Sequence, residues 1–393
     1  MKICMICNTD GALYVFRKPI VQAAVARGHQ VHAIADRSRY FEKLEGLGMV
    51  PEALDFGRHS VGLGSNLRLL WALRQALRRQ APDVVHSFTH KPAIYGTLAA
   101  RMAGVRARLV TITGLGTLFT NHDLKSRILR FALVTQYRFA LRFAHHVFFQ
   151  NPDDLAYFVD NGIVNPAKAI LTNGSGVDLE EFDLPSPAAV QDARLSLSGE
   201  LGAALGDRTL VVFPARGVRE KGFHLFYDAA RQIHRLMPGR YVFMHLGLVD
   251  NASGSGITGQ NIAAYAKDCG VHYLGFKDDI GRYMAAADIV ALPSYYREGT
   301  PRSMIEALAL GKVVVTTDAP GCRETVIDGW NGHLCKPADG HSFIAALLKV
   351  DTAFAAAARQ RSRALCEAKF DVRHLVALTL EKYGDPVAAA PPA

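Results

Sequence analysis

Residues 289–317 read IVALPSYYREGTPRSMIEALALGKVVVTT. IVALPS and KVVVTT are short, continuous apolar runs rich in β-branched residues, the pattern of strands covered on both faces. Between them SMIEALALG reads as a helix that stops at Gly311, a residue type suited to the left-handed turn after a helix. Thr300 is expected as the helix N-cap and Pro301 as its first residue. A strand, a helix and a second buried strand in sequence imply a parallel sheet with helices packed on it.

The same alternation extends outward from this stretch. TLVVFPAR, YVFMHLG and VHYLGF precede it, with helical patterns between. Nearer the N-terminus KICMIC, QVHAIA, DVVHSF, RLVTIT and HVFFQ alternate with FRKPIVQAAVARG, NLRLLWALRQALRRQ and PAIYGTLAARMAG. The chain has 393 residues. That exceeds what one core usually serves, about 250–300 residues. The expected architecture is α/β, with two Rossmann-like doubly wound domains facing each other across a cleft and ligands at the carboxyl ends of the strands. The expected bounds are a first domain over 1–180, a proline-bearing linker over 181–205 and a second domain over 206–370. A C-terminal helix and a disordered tail are expected over 371–393.

Composition is that of a globular protein, 49% apolar and 21% charged, which sets aside disordered and collagen-like classes. The opening MKICMICNTD lacks a basic segment followed by an apolar one, and no run reaches about 18 uninterrupted apolar residues. The expectation is a cytoplasmic chain. Cys4 and Cys7 are spaced C-x-x-C, but on a strand such positions point to opposite faces, so buried thiols are expected rather than a metal or redox site. Net charge is +9. Lys and Arg number 22 against 13 Asp and Glu in residues 1–180, and 23 against 23 thereafter, so the whole excess lies in the first half. An anionic partner for that half is expected.

Two clusters carry the candidate chemistry. Glu298 stands on the loop after a strand, Glu306 lies inside the following helix, and the helix start between them presents N–H groups and a partial positive charge to an anion. The donors there are the amides of Gly299, Thr300, Arg302 and Ser303, since Pro301 has none. In TLVVFPARGVREKGF, Arg216 and Lys221 follow another strand, where two cations are placed to neutralise a diphosphate.

The R-x4-K-G of Arg216 to Gly222 and the E-x7-E of Glu298 to Glu306, set in PSYYREGTPRSMIEALALGK, resemble those of the retaining nucleotide-sugar glycosyltransferases of family four. The resemblance covers nearly the whole chain and implies the GT-B fold. It implies that Glu298 contacts the donor sugar, that Glu306 binds the ribose hydroxyls, and that Arg216 and Lys221 hold the diphosphate and stabilise the leaving group. It also implies that Gly11, after the first strand, lets the backbone approach the donor phosphate. With no D-x-D pair, no metal and no other cofactor is expected beyond a UDP-sugar as co-substrate.

Many relatives carry a histidine after the fourth strand, whereas TITGLGTLF has none. The GLG resembles transferases that extend undecaprenyl-diphosphate-linked sugars, in particular those adding an N-acetylhexosamine such as α-1,3-linked GalNAc. Thr113 to Gly116 are expected to offer backbone N–H groups instead. Arg17, Lys18, His86, His90 and Lys91 are the expected contacts for the acceptor phosphates. Residues 124–149, LKSRILRFALVTQYRFALRFAHHVFF, interleave Arg127, Arg130, Arg138 and Arg142 with Ile, Leu and Phe. That pattern suits a helix lying on an anionic membrane, peripheral on the inner face of the cytoplasmic membrane. No nucleic-acid partner is expected.

Other classes fit less well. A Rossmann oxidoreductase needs G-x-G-x-x-G after the first strand, and CNTDGALYVF lacks it. A nucleotide-sugar 2-epimerase of the same fold gives no reason for the E-x7-E arrangement. A non-catalytic lipid-, nucleotide- or nucleic-acid-binding protein accounts for the charge but not for Glu298 and Glu306.

Overall fold

The computed structural model describes residues 1–57, 62–120, 123–249 and 261–384. The expected disordered tail, from residue 385 on, lies outside them. The chain forms two compact units, Met1–Gly176 together with the chain from Val372 on, and Val177–Asp371.

The first unit runs β1 (Lys2–Cys7), α1 (Asp10–Ala26), β2 (Gln30–Ala35), β3 (Met49–Ala53), α2 (Leu63–Gln80), β4 (Val84–Phe88), α3 (Thr97–Met102), β5 (Ala107–Ile112), α4 (Leu124–Ala140), β6 (His146–Phe149), α5 (Pro152–Asp160) and β7 (Ala169–Leu171). All its strand pairs are parallel, in the order β3-β2-β1-β4-β5-β6-β7. Period-two alternation of β1 explains its two-sided burial. Ile3, Met5 and Cys7 join one core cluster with α1, while Cys4 and Ile6 join another with α2 and α3. All six cysteines are free and buried, and Cys4 and Cys7 point to opposite faces of the sheet.

The second unit runs α6 (Pro187–Leu201), β8 (Thr209–Phe213), α7 (Phe223–Leu236), β9 (Tyr241–Leu246), α8 (Ile262–Cys269), β10 (Val271–Gly275), α9 (Ile280–Ala286), β11 (Ile289–Leu292), α10 (Arg302–Ala309), β12 (Val313–Thr317), β13 (Gly332–Cys335), α11 (Gly340–Leu348) and α12 (Thr352–Phe370). Its parallel sheet has the order β10-β9-β8-β11-β12-β13. Counted within each unit, both sheets begin 3-2-1-4-5-6, the doubly wound order whose winding reverses between the first and fourth strands.

The expected linker is not loose chain. Ser186 caps α6 by accepting from the amide of Ala189, and α6 packs on α9 as part of the second unit. Its Arg194 reaches the carbonyl of Ala286 and the carboxylate of Asp288, both at 3.0 Å. The C-terminal helix α13 (Val372–Tyr383) belongs to the first unit, where Leu375, Leu380 and Tyr383 join the core beside α1. Among the described residues no single helix is long and apolar enough to cross a membrane.

Candidate functional site in the second unit

The reversal point of the second sheet lies between β8 and β11, where Val211 and Val212 pair with Ile289 and Val290. The loops that leave these strands are stitched together. The carbonyl of Glu220, after β8, accepts from the amides of Tyr295 and Tyr296 (2.9 and 3.1 Å) and from Ser294 Oγ (3.2 Å), all after β11. Gly222 makes this approach possible. It sits at φ +77°, and a Cβ there would lie 2.0 Å from the carbonyl oxygen of Pro293.

This stitching brings the predicted residues together. Lys221 Nζ lies 2.5 Å from Glu298 Oε1, and Ser294 Oγ lies 3.1 Å from the same oxygen, sharing its one proton between it and the Glu220 carbonyl. The Lys221 ammonium stands 5.9 Å from the centre of the Tyr296 ring. Burial pushes the Tyr296 phenol up, the nearby Glu298 carboxylate adds to this, and the Arg216 guanidinium opposes it. Lys221 thus stands against both Glu298 and Tyr296. Glu298 is only 8% exposed, so its charge rests on these partners rather than on water.

Glu306 lies in the second turn of α10 and pairs with Arg302 one turn earlier, Nε to Oε1 2.7 Å. It is 7% exposed, and burial raises its pKa while Arg302 pulls the other way. The helix begins one residue later than expected. Pro301 is the N-cap, extended at φ −63° and ψ 118°, and α10 starts at Arg302. Proline has no side-chain acceptor for the first-turn amides, so the start of this helix lacks the usual hydroxyl or carboxylate cap.

Three contributors were missed by sequence reasoning. Ser294 is buried and acts by touching Glu298 and Glu220, a role no local pattern announces. Tyr296 carries no sequence signal that sets it apart from its loop neighbours. Gly321, at φ +81°, packs its Cα against the turn, and a Cβ there would meet the Gly299 carbonyl oxygen at 1.8 Å. The Pro-Gly dipeptide of DAPGCRE signals a turn, but not what the turn touches.

The residues expected at the first unit's reversal point, between β1 and β4, are held differently. His86 lies within β4 and is 1% exposed, with Nδ1 2.8 Å from the Tyr383 hydroxyl and Nε2 2.7 Å from Thr111 Oγ1. Both ring nitrogens are occupied, and burial, then Arg17, holds its pKa well below the ordinary histidine range. The expectation that His86 receives an acceptor phosphate is therefore corrected: it is a core histidine. Part-buried His90 has Nδ1 2.5 Å from the Tyr137 hydroxyl, and desolvation pushes its pKa down to about 4. Lys91 donates to the carbonyls of Phe56 (2.9 Å) and Gly57, which ties the end of β4 to the loop after β3. Arg17 is 5% exposed and stacks 4.5 Å over Phe88, while Lys18 is half-buried. Gly11 lies in the first turn of α1, where a Cβ would have Tyr40 Cδ2 as its nearest neighbour, at 3.1 Å. The Asp10 carboxylate fixes that tyrosine's loop by accepting from the Ser38 and Tyr40 amides at 2.7 and 3.2 Å.

With this geometry in place, residues 208–351 match the family described as glycosyl transferases group 1. Residues 16–174 match the glycosyl transferase 4-like domain. Together the two matches make the chain a glycosyltransferase with group 1 and 4-like domains. This transferase is a hexosyltransferase, and its two parallel-sheet units are those of the GT-B fold. It is 29% identical over 333 residues to the N,N'-diacetylbacillosaminyl-diphospho-undecaprenol alpha-1,3-N-acetylgalactosaminyltransferase of Campylobacter jejuni, covering 84% of each chain. It is 26% identical over 297 residues to the Escherichia coli UDP-Gal:alpha-D-GlcNAc-diphosphoundecaprenol alpha-1,3-galactosyltransferase, covering 74% of the transferase and 72% of that protein. Anabaena HepE in complex with UDP superposes with a TM-score of 0.77 at 22% identity, covering 98% and 100% of the two chains. Sucrose-phosphate synthase of Thermosynechococcus elongatus does so with a TM-score of 0.81 at 19% identity, over 98% of each.

Proposed function

We propose that this transferase moves an N-acetylhexosamine, GalNAc in the first instance, from its UDP-sugar to a saccharide carried on undecaprenyl diphosphate, with retention of configuration and without a metal. The observation that carries the reading is the contact of Lys221 with Glu298 at the reversal point of the second sheet, on the loop that also carries Arg216. Departure of UDP builds negative charge on the diphosphate. A cation positioned beforehand, as Lys221 is by Glu298 on loops joined through the Glu220 carbonyl, favours that transition state over the ground state. In this reading Lys221 and Arg216 take the diphosphate, Glu298 orients the sugar and Glu306 holds the ribose, with the Gly299, Thr300 and Arg302 amides beside the phosphates. The names of the Campylobacter and Escherichia relatives both support the lipid-linked acceptor, and the Campylobacter name supports the N-acetylhexosamine, whereas the Escherichia relative is a galactosyltransferase. The UDP complex of HepE supports the nucleotide.

A peripheral membrane position supports the same reading, because the acceptor's lipid stays in the bilayer. On α4, Leu124, Ile128, Phe131 and Phe139 recur on one stripe and are 70, 60, 74 and 53% exposed, and the helix carries no Asp or Glu. On α2, Leu67 and Trp71 are also exposed beside several arginines. Two of the four α4-region arginines have other work: Arg130 donates to the Leu118 carbonyl and Arg138 to those of Asn161 and Gly162. Exposed Arg127 and Arg142 and the apolar stripe are therefore the proposed contact.

The test is UDP release from a panel of UDP-sugars with and without a polyprenyl-diphosphate-linked acceptor. Acceptor-dependent release from UDP-GalNAc, an α-linked product by NMR and activity in EDTA are the expected results. A β-linked product, or activity lost in EDTA and restored by magnesium, overturns the corresponding part. Anionic liposomes should bind the protein, and Ile128→Ser with Phe131→Ser should release it. Unchanged binding by that double variant excludes α4 as the contact.

A further inference from the structure

Beneath the loop that carries Arg216 lies a histidine that no sequence motif marks. His245 is the penultimate residue of β9, is fully buried, and has a bonding partner on each ring nitrogen. Nε2 lies 2.9 Å from the carbonyl oxygen of Ala215, and Nδ1 lies 3.0 Å from the Tyr227 hydroxyl on α7. A carbonyl oxygen only accepts, so Nε2 carries the proton, and Nδ1 accepts from Tyr227. Burial pushes the imidazole pKa down to about 4, which keeps this neutral arrangement at physiological pH.

The partner is the residue immediately before Arg216, and the other side of Arg216 is fixed to the same strand end. The Gly217 amide donates to the Leu248 carbonyl at 2.8 Å, and the Val218 amide donates back to the Arg216 carbonyl at 2.8 Å. Gly247 leaves room for this contact, since a Cβ there would lie 2.0 Å from the Ala215 oxygen. Gly217 is equally confined: its Cβ would meet Val249 Cγ2 at 2.8 Å and His245 Cε1 at 3.3 Å. The loop is thus clamped on both flanks of one cation, by backbone on one side and by the His245 ring on the other.

We infer that His245 is a positioning residue for Arg216, holding its backbone through the Ala215 carbonyl so that the guanidinium meets the donor diphosphate. The inference rests on the role proposed for Arg216. His245→Phe keeps a ring in the core but loses the N–H, and should lower kcat by one to two orders of magnitude with a smaller change in donor KM. His245→Gln, whose amide can both donate and accept, should recover part of the loss. Tyr227→Phe removes only the hydroxyl that donates to Nδ1 and holds the ring's orientation, and should cost several-fold. It is the deciding variant if His245→Phe does not fold.

The readout that separates positioning from general support of the fold is a double-mutant cycle with Arg216→Ala. If His245 acts through Arg216, His245→Phe or Tyr227→Phe made on the Arg216→Ala background should lower kcat no further. Equal fold-losses on both backgrounds overturn the inference while leaving the role of Arg216 standing. An Arg216→Ala enzyme with wild-type kcat overturns both.

Discussion

The two sheets share one winding order, and their reversal points nevertheless have opposite character. Between β8 and β11 the charged side chains cluster with one another, Lys221 on Glu298 beside Tyr296, with Arg302 on Glu306 on the neighbouring helix. Between β1 and β4 the polar side chains serve the fold. His86 is bonded within the core, and Lys91 caps carbonyls of a neighbouring loop. Topology thus supplies two equivalent places for a ligand. The residues that leave those strands decide what each place does.

That contrast can be broken by experiment, most sharply on the charged side. Lys221→Ala should lower kcat by about 10²–10³, the loss typical when one preorganised stabiliser of a developing anion is removed. Steady-state UDP release checks it, and near-normal turnover would dissolve the contrast. The glutamates should separate next. Glu298→Ala should reduce turnover about 10–100-fold with UDP affinity little changed, while Glu306→Ala should weaken UDP binding by a similar factor, each losing a bond to or from a charged group. Calorimetric UDP titration beside kinetics resolves the two, and two variants that match wild type in both would remove this turn from the site.

On the other side the expected effects are on stability. Tyr383→Phe leaves His86 Nδ1 without its hydroxyl partner and should cost about 1–2 kcal/mol by denaturant unfolding, with kcat unchanged below the transition. Lys91→Met should likewise cost about 1 kcal/mol. If it instead raises the acceptor KM at unchanged stability, Lys91 meets the acceptor after all.

The smallest effect is a pH dependence. Burial depresses the pKa of His86 and His245 and of part-buried His90, the last two named to about 4. In the unfolded chain a histidine takes up its proton near pH 6.5. Each therefore contributes stability that is present above that pH and is lost as pH falls from there toward 4, by at most about 1.4 kcal/mol per pH unit. Melting temperature followed from pH 7.5 to 5 should fall, and His90→Phe should flatten the slope. A slope unchanged by that substitution would show that the part-buried His90 keeps an ordinary pKa in the fold.

What was legible in the sequence was whatever depends on local periodicity. Ten strands were read from apolar runs, and KICMIC and QVHAIA match β1 and β2 residue for residue. The unread strands β3, β7 and β13 are all at sheet edges, where one side lacks a neighbour and the apolar run shortens. β3 even carries Pro51, which an edge tolerates because it leaves fewer ladder donors to satisfy. The second candidate site was legible too, because its residues follow β8 and β11 closely and carry paired charges in a recognisable spacing.

The sequence alone determined the alternation of strands and helices, the doubly wound class, and the identities at the charged turn. It did so because side-chain periodicity and turn chemistry act within a few residues. The tertiary structure alone decided which polar groups cluster at a reversal point and which are bonded within the core. It paired His86 with Tyr383 from 297 positions away, returned α13 to the first unit, packed α6 into the second, and set His245 under Ala215. A polar side chain has no fixed role until its partners are known. A buried nitrogen must be satisfied, and only the folded chain determines whether a neighbouring residue or a substrate will satisfy it.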